Sequence, residues 1–210
     1  LMDYIRETLA ERSVGFIGDH PRMLTMHLYG DADFAGCPYT LRSTSGIHAC
    51  IQGPNSRFAW GASSKGQSAT AQSTPEAELA SLNEGMKDKA EPALALWQAI
   101  LGHYHASAST GWEATIQLHE DNTTAIQCVR CGNCTMKTLE RNFGTKLSWM
   151  HDQVMGPKSD GRDSRYNMVH TASEHMAADV YTKGFTDKRT FSNLKKLINI
   201  YTPKQIEECD

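Results

Sequence analysis

The sequence predicts one α/β domain in which helices flank a mixed β-sheet. Three observations predict this class: strand-like segments crowd the amino-terminal third, apolar residues take helical spacing in the middle, and later short strands each precede a helix. A chain of 210 residues can bury one well-formed core but not comfortably two. We therefore expect a single domain.

The amino-terminal third predicts an antiparallel meander of three strands. Loosely alternating apolar residues predict a first strand over residues 23–29, which runs into the acidic Asp31. Residues 44–52 and 57–63 predict the next two strands, because the turn formers at 53–56 between them suit a hairpin.

A helix is predicted from Ser73 onward. Ser73 can cap its N-terminus, Pro75 suits its first turn, and Glu76 can complete a capping box. Pro92 interrupts the helical pattern, so it either kinks this helix or begins another. We expect two helices, the second ending near Gly102.

The second half of the chain alternates strands and helices. A short buried strand over 115–119 delivers Glu120 and Asp121 at its carboxyl end and precedes a helix. The remaining predicted elements are a helical stretch at 139–155, a loop at 156–163, a strand at 166–170, an acidic helix at 173–182 and a basic amphipathic helix at 187–200.

Composition and charge exclude several classes of protein. A net charge of −3 is unlike that of proteins that hold nucleic acid by bulk electrostatic attraction. No apolar run approaches the roughly 20 residues that a membrane-spanning helix needs, so no membrane partner is expected. The six cysteines, without a secretory signal, are expected to stay reduced. Any binding of nucleic acid is expected to be local and weak.

Four acids stand where the predicted elements would present them: Asp31, Glu78, Asp121 and Asp179. Any one of them alone is ordinarily a solvated surface charge. Carboxylates that converge resist ionising together unless a cation is present. Oxygen-only ligands select hard cations such as Mg²⁺ or Mn²⁺, which keep positions open for water and phosphate oxygens. The sequence therefore predicts a metal site for phosphodiester chemistry.

Six ordered motifs accompany these acids. They are YGDADFAGC at 29–37, RSTSG at 42–46, AWGASSK at 59–65, STPEAEL at 73–79, EDNTTAI at 120–126 and ADVYTKGF at 178–185. In type and order they resemble the ribonuclease H domain of copia-type LTR retrotransposon Pol polyproteins, over about residues 23–199.

The resemblance implies a fold, an activity and a set of site residues. The fold would be ribonuclease H-like, with a mixed five-stranded sheet made of three antiparallel strands and two parallel additions. The activity would be hydrolysis of the RNA strand of RNA/DNA hybrids during reverse transcription. The residues that bind metal and catalyse would be Asp31, Glu78, Asp121 and Asp179, with two Mg²⁺ ions, or Mn²⁺ in their place.

The resemblance also implies a place in a longer polyprotein. Residues 1–22 would be the end of a reverse transcriptase or its connection segment, 23–185 the nuclease domain, and 186–210 a C-terminal amphipathic helix and tail. The partners would be an RNA/DNA hybrid and the upstream reverse transcriptase domain. The location would be the cytoplasm, within the virus-like particle of the element, or the nucleus.

Further residues are candidates for supporting roles at this site. His170 and His175 shortly precede Asp179 and are candidates for a proton shuttle, or else ordinary surface histidines. The candidate contacts with nucleic acid are Arg42, Ser43, Lys65, Asn122 and Lys183.

Alternative assignments remain open for the acids. Asp33, Glu76 and Glu120 are rivals of their neighbours in the set of four. Asp33 would share a strand face with Asp31 and could support it from outside the site. Glu76 lies about 200° from Glu78 around a helix, so the two cannot both face one site.

Alternative functions also remain open. Cys128, Cys131 and Cys134 have ligand-like spacing for zinc, but no motif supplies a fourth ligand, so burial along one helix face is the other interpretation. The chain as a whole could be an inactive or domesticated module that binds nucleic acid or a protein. It could also be a transposase or integrase nuclease of the same fold.

Overall fold

The computed structural model describes residues 2–104, 114–132, 136–156 and 164–208. In chain order its strands are β1 (Arg12–Ser13), β2 (Thr25–Asp33), β3 (Thr44–Gly53), β4 (Ser56–Gly66), β5 (Ile116–Glu120), β6 (Tyr166–His170) and β7 (Ile200–Tyr201). Its helices are α1 (Met2–Thr8), α2 (Thr74–Gly85), α3 (Glu91–Tyr104), α4 (Thr123–Cys131), α5 (Lys137–Phe143), α6 (Leu147–Met155), α7 (Lys188–Leu197) and α8 (Pro203–Glu207).

The main sheet has five strands in the order β4-β3-β2-β5-β6. Strands β2, β3 and β4 are antiparallel neighbours, whereas β5 runs parallel to β2 and β6 runs parallel to β5. The predicted architecture, a mixed five-stranded sheet of three antiparallel strands and two parallel additions flanked by helices, is confirmed. Because β2 and β5 are parallel neighbours, their carboxyl ends meet at one edge of the sheet.

One face of the sheet packs against helices and holds the main core. Met26 and Leu28 of β2, Leu118 of β5 and Leu82 of α2 are each at most 2% exposed there. Alternation along β2 sends His27 and Tyr29 to the other face. The strand therefore buries apolar residues on one side and carries polar rings on the other.

The second face carries a chain of hydrogen bonds between side chains. Thr25 Oγ1 lies 2.8 Å from His27 Nε2, and His27 Nδ1 lies 2.8 Å from His119 Nε2. The other nitrogen of His119 lies 2.7 Å from the hydroxyl of Thr171, and Tyr29 stacks on His119 with ring centroids 4.0 Å apart. Both nitrogens of both imidazoles are engaged, so each ring donates once and accepts once in its neutral form.

The helical region around Pro92 differs from the prediction of two separate helices. The helix continues from α2 through a π-helical turn at Met86–Ala90 into α3, which ends at Tyr104. The N–H of Glu91 bonds to the carbonyl oxygen of Met86, five residues back. Proline lacks an N–H and its ring clashes with the carbonyl four residues back. The π-helical turn directly before Pro92 widens the helix there, so that the helix continues rather than ends.

The capping box predicted at Ser73 is half formed. The Ser73 side chain accepts the N–H of Glu76, as expected for an N-cap. The carboxylate of Glu76 accepts the N–H of Gln72 at 2.7 Å instead of that of Ser73. Glu76 is thus committed to the helix start and lies outside the group of acids described below.

Two other helix predictions are corrected. The stretch at 139–155 is two helices, α5 and α6, separated at Gly144, whose φ of 62° is left-handed. The segment at 173–182 is two short 3₁₀ turns, Ser173–His175 and Ala177–Tyr181, not an α-helix. Between them Met176 is extended and fully buried, so packing of its side chain interrupts the helix. Most of the loop predicted at 156–163 lies outside the described residues.

The two terminal segments pack onto the sheet and onto each other. Strand β1 pairs antiparallel with β7, and Phe16 forms an isolated bridge with Arg57 of β4. The carboxylate of Asp19 accepts the N–H of Asn55 at 2.8 Å in the β3–β4 turn. The basic amphipathic helix predicted at 187–200 is confirmed as α7, with Asp187 as its N-cap. The domain boundaries at 22 and 185 stay predictions. Within the described residues, every helix is too short or too polar to cross a bilayer.

Candidate metal centre

Three of the four predicted acids meet at the edge where β2 and β5 end. Asp31 belongs to the end of β2, Asp121 follows β5 directly, and Glu78 projects from α2. One carboxylate oxygen from each lies within 4.8 Å of the other two. The predicted convergence of these three acids is therefore observed.

Asp179 approaches the same site from the Ala177–Tyr181 turn. The ammonium nitrogen of Lys183 lies 2.7 Å from Asp179 Oδ1 and 3.7 Å from Asp31 Oδ1. Thr182 donates a hydrogen bond to the other oxygen of Asp31. Asp179 thus reaches the cluster through Asp31 and a shared lysine, and stands outside the 4.8 Å group.

Gly46 allows this turn to lie directly on the sheet. It pairs with Asp31 across β2 and β3. A Cβ at Gly46 would lie 2.5 Å from Thr182 Cγ2 and 2.9 Å from the carbonyl oxygen of Ala178. The absent side chain therefore leaves the room that Asp179 needs to sit beside Asp31.

Gly46→Ala is accordingly expected to push the turn away and to destabilise the fold by about 1–3 kcal/mol, as overpacking does. Displacement of Asp179 by an ångström would lower cleavage activity by up to about 100-fold. Urea unfolding and a cleavage assay measure both effects. Gly66→Ala is the matched control, because a Cβ there meets no atom within 4 Å. An alanine at position 46 that changed neither quantity would show that this close packing does not position Asp179.

Burial and mutual repulsion disfavour ionisation of the clustered acids. Burial, with the nearby charges of Asp121 and Asp31, raises the pKa of Glu78 to about 8. Burial, opposed by Lys183, raises the pKa of Asp179 to about 6. The pKa of Asp31 is also raised, chiefly by burial and despite its bonds to Thr182 and Lys183. Without a cation, this group therefore resists carrying its full negative charge.

The donor set fits a hard divalent cation. All three clustered ligand atoms are carboxylate oxygens, which Mg²⁺ and Mn²⁺ prefer. Glu78 Oε2 is buried and has no hydrogen-bond partner among the described residues. Such ions, when bound, activate a water molecule and stabilise a leaving oxygen in phosphodiester hydrolysis. The chain contributes the orientation of Asp31, Glu78 and Asp121 around that position.

Glu120, the rival of Asp121 in the sequence, is fully buried next to the cluster, and this burial was not predicted. Its Oε1 accepts the N–H of Asn122 at 3.2 Å, and its Oε2 has no hydrogen-bond partner among the described residues. Burial, followed by the charge of Glu78, raises its pKa well above the ordinary value. The signal was present in the strand period, because Glu120 shares a face with Ile116 and Leu118 of β5.

Other polar contacts fix the remaining acids. Ser173 donates a hydrogen bond of 2.7 Å to Asp121, and no motif pointed to this serine. Asp33, the rival of Asp31, accepts the N–H of Thr44 and so holds the connection between β2 and β3. Asp33 is outside the cluster of three acids.

The structure places the candidate histidines on the surface. His170 is exposed at the end of β6, and His175 is exposed with its Nε2 3.6 Å from a carboxylate oxygen of Glu174. Within the described residues, neither ring hydrogen-bonds to the clustered acids. Their role as proton shuttles stays a prediction.

Some of the candidate nucleic-acid contacts are exposed side chains, and the others are bonded to groups within the protein. Arg42 is exposed, and Lys65 is exposed but pairs with Glu84 at 2.9 Å. Ser43 is 1% exposed and accepts the N–H of Ala35 in the β2–β3 connection, and its contact with nucleic acid stays a prediction. The two others lie at the acids: Asn122 follows Asp121 and caps α4, and Lys183 pairs with Asp31 and Asp179.

The described residues contain no set of cysteine and histidine ligands arranged for zinc. Cys128 is partly buried against the core and Cys131 is exposed, while Cys134 lies outside the described residues. Within the described part of the chain, the acids Asp31, Glu78 and Asp121 form the one group with metal-binding geometry.

Comparisons with known proteins find similarity in structure alone. The chain matches no protein-family profile and no curated protein. The ribonuclease H1 of the halophilic archaeon Halobacterium salinarum is similar with a TM-score of 0.45 and 11% identity, over 75% of this chain and 94% of that one. The N-terminal ribonuclease H domain of a Mycobacterium tuberculosis protein, solved as a fusion with maltose-binding protein, has a TM-score of 0.44 and 9% identity, over 82% and 97%.

A further similarity is to a larger protein. The protease-reverse transcriptase of prototype foamy virus has a TM-score of 0.37 and 12% identity, over 89% of this chain and 22% of that one. At TM-scores below 0.5, these similarities do not assign an activity to this chain.

Proposed function

We propose that this chain is a divalent-cation-dependent endonuclease that hydrolyses the RNA strand of RNA/DNA hybrids. The observation that carries the proposal is the approach of Asp31, Glu78 and Asp121 carboxylate oxygens to within 4.8 Å of one another. Like charges this close, with Asp31 and Glu78 buried, need a cation to remain ionised together. Phosphodiester hydrolysis is the chemistry that such oxygen-ligated cations support.

Asp31 has the central place in the proposed site. It belongs to the group with Glu78 and Asp121, and it also shares Lys183 with Asp179. We propose that Asp31 contributes to both positions of a two-ion site, with Glu78 and Asp121 on one side and Asp179 on the other. The cations proposed are Mg²⁺, or Mn²⁺ in its place.

The choice of substrate and setting rests on the sequence motifs. The six motifs resemble the ribonuclease H domain of a copia-type Pol polyprotein, in which the partner would be the upstream reverse transcriptase. The 2′-hydroxyl would distinguish the RNA strand from the DNA strand. With a net charge of −3, the isolated chain is expected to bind a hybrid weakly, so low ionic strength favours the assay.

A cleavage assay with three labelled substrates tests the proposal. With Mg²⁺ or Mn²⁺, we expect cutting of the RNA strand of a hybrid, no cutting of duplex DNA or single-stranded RNA, and no activity in a chelator. Cutting or joining of duplex DNA would favour a transposase or integrase nuclease. Binding of the hybrid without any cleavage would overturn the proposal in favour of an inactive module.

A further inference from the structure

Lys183 is placed where a cation is needed between two buried acids. Its ammonium nitrogen lies 2.7 Å from Asp179 Oδ1 and 3.7 Å from Asp31 Oδ1. The two carboxylate side chains are 7% and 3% exposed, whereas the lysine side chain is 40% exposed. The acids are therefore fixed in the protein, and the lysine reaches them from the surface.

The cluster is neutralised on one side only. Among the described residues, the ion pairs made by Asp31 and Asp179 come from Lys183. On the other side, Glu78 Oε2 is buried without a hydrogen-bond partner among the described residues. The Asp31–Asp179 side thus holds a positive charge from the chain itself, and the Glu78–Asp121 side does not.

The side chain of Lys183 also has space to move away from Asp31 and Asp179. It lines an open groove of about 710 Å³ together with Glu7 of α1, Glu11 and Phe185. A lysine side chain is a flexible stem that carries a compact, rotatable charge. Its ammonium can therefore move from the two acids into this groove with rotation of its side-chain bonds alone.

From these positions we infer that Lys183 is a built-in counter-cation that competes with the second divalent ion at Asp31 and Asp179. The inference rests on the proposed function. In the metal-free chain, the ammonium stabilises the two buried carboxylates. Binding of a divalent cation at the same two carboxylates requires the ammonium to leave, because both charges need the same oxygens. The position beside Glu78 and Asp121, which make no ion pair with Lys183, is expected to fill first.

Titration with Mn²⁺ alone, followed by calorimetry, tests this inference without cleavage as the readout. The variant Lys183→Met removes the charge and keeps most of the side-chain volume. We expect its weaker Mn²⁺ site to bind about tenfold more tightly than in the unaltered chain, and its tighter site to change little. In a chelator, we expect Lys183→Met to melt at a lower temperature, and saturating Mn²⁺ should abolish that difference.

Two controls separate charge from structure. Lys188→Met removes another lysine that lines the same groove and is expected to leave Mn²⁺ binding unchanged. Lys183→Arg keeps a positive charge and is expected to keep the second Mn²⁺ site weak. Tightening of the second site by Lys183→Arg as well would show that volume, not charge, matters, and would overturn the inference.

The outcomes distinguish this inference from the proposed function. Equal or weaker Mn²⁺ binding in Lys183→Met, with cleavage of a hybrid intact in the unaltered chain, overturns the role of Lys183 alone. Absence of both Mn²⁺ binding and cleavage in the unaltered chain overturns the proposed function and the inference together.

Discussion

Asp31→Asn is expected to abolish cleavage of an RNA/DNA hybrid while the chain remains folded. Asp31 is in contact with both parts of the proposed site, so its carboxylate has no substitute there. Loss of a residue that merely orients a metal ligand costs about 10–100-fold in activity, and loss of Asp31 should exceed that range. Rates of hybrid cleavage at saturating Mg²⁺ measure the effect.

The same substitution is expected to preserve or raise the stability of the metal-free chain. Asparagine is nearly isosteric and keeps an oxygen that can accept the hydrogen bond from Thr182. It also removes one of the negative charges that raise the pKa of Glu78. Thermal melting in a chelator tests this second effect.

Asp88→Asn is the matched control for Asp31→Asn, because Asp88 is exposed and does not belong to the group of clustered acids. It should change neither cleavage nor melting. Full cleavage activity in Asp31→Asn would mean that the acids at this edge of the sheet are not the catalytic ones. A loss of activity that accompanied unfolding would be resolved by circular dichroism of the same preparation.

Acidification from pH 7 to pH 4 is expected to destabilise the fold through three histidines on the second face of the sheet. Burial lowers the pKa of His27 and of His48 to about 4, and that of His119 to about 3. The ordinary value is 6.5. Between the folded and the ordinary pKa values, the unfolded chain binds protons at these rings and the folded chain does not. The free energy of unfolding is therefore highest above about pH 6.5 and decreases as the pH falls through the folded pKa values.

The size of this effect follows from the width of the window. At pH 5 each ring would cost at most about 2 kcal/mol of unfolding free energy, counted from the ordinary pKa. Protonation would also break the hydrogen-bonded chain, because a charged imidazole can no longer accept. The carboxyl of Glu78 acts in the opposite sense: its raised pKa gives stability below about pH 4.5 that is lost as pH rises through about 8.

A comparison of variants isolates the histidine contribution from that of the acids. The double variant His27→Gln/His119→Gln keeps polar side chains but removes two titrating groups. We expect its unfolding free energy in urea to fall less between pH 6.5 and pH 4 than that of the unaltered chain. His175→Gln, at an exposed position, is the control and should leave the pH dependence unchanged. Parallel curves for the double variant and the unaltered chain would contradict the prediction.

The parts of the molecule that the sequence predicted are those set by local rules. The period of two along β2, β5 and β6 and the turn formers before β4 were sufficient to place the strands. The motifs around Asp31, Glu78 and Asp121 were sufficient to predict that these acids converge. Each of these signals lies within a few neighbouring residues.

The parts that sequence reasoning missed depend on contacts between distant residues. The helix continues through Pro92 because the π-helical turn at Met86–Ala90 relieves the clash of the proline ring with the preceding turn. The spacing of apolar residues does not reveal such a turn. The turn that carries Asp179 is 3₁₀ because Met176 is buried between its two halves. The ammonium of Lys183 lies 3.7 Å from Asp31 Oδ1, 152 residues away in sequence (183 − 31), whereas its predicted contact with phosphate stays a prediction. Local patterns contain no information on such pairs.

The separation in sequence of the partners around Asp31 has a consequence for folding. The hydrogen bond from Thr182 to Asp31 joins residues 151 positions apart, and the strands beneath it must already be paired for the two to meet. Contacts of such long range close late, since the entropy of the intervening loop is lost before they form. A partly folded chain therefore lacks the Asp31–Asp179 half of the proposed site, which assembles only when the segment that carries Asp179 and Thr182 has docked onto the sheet.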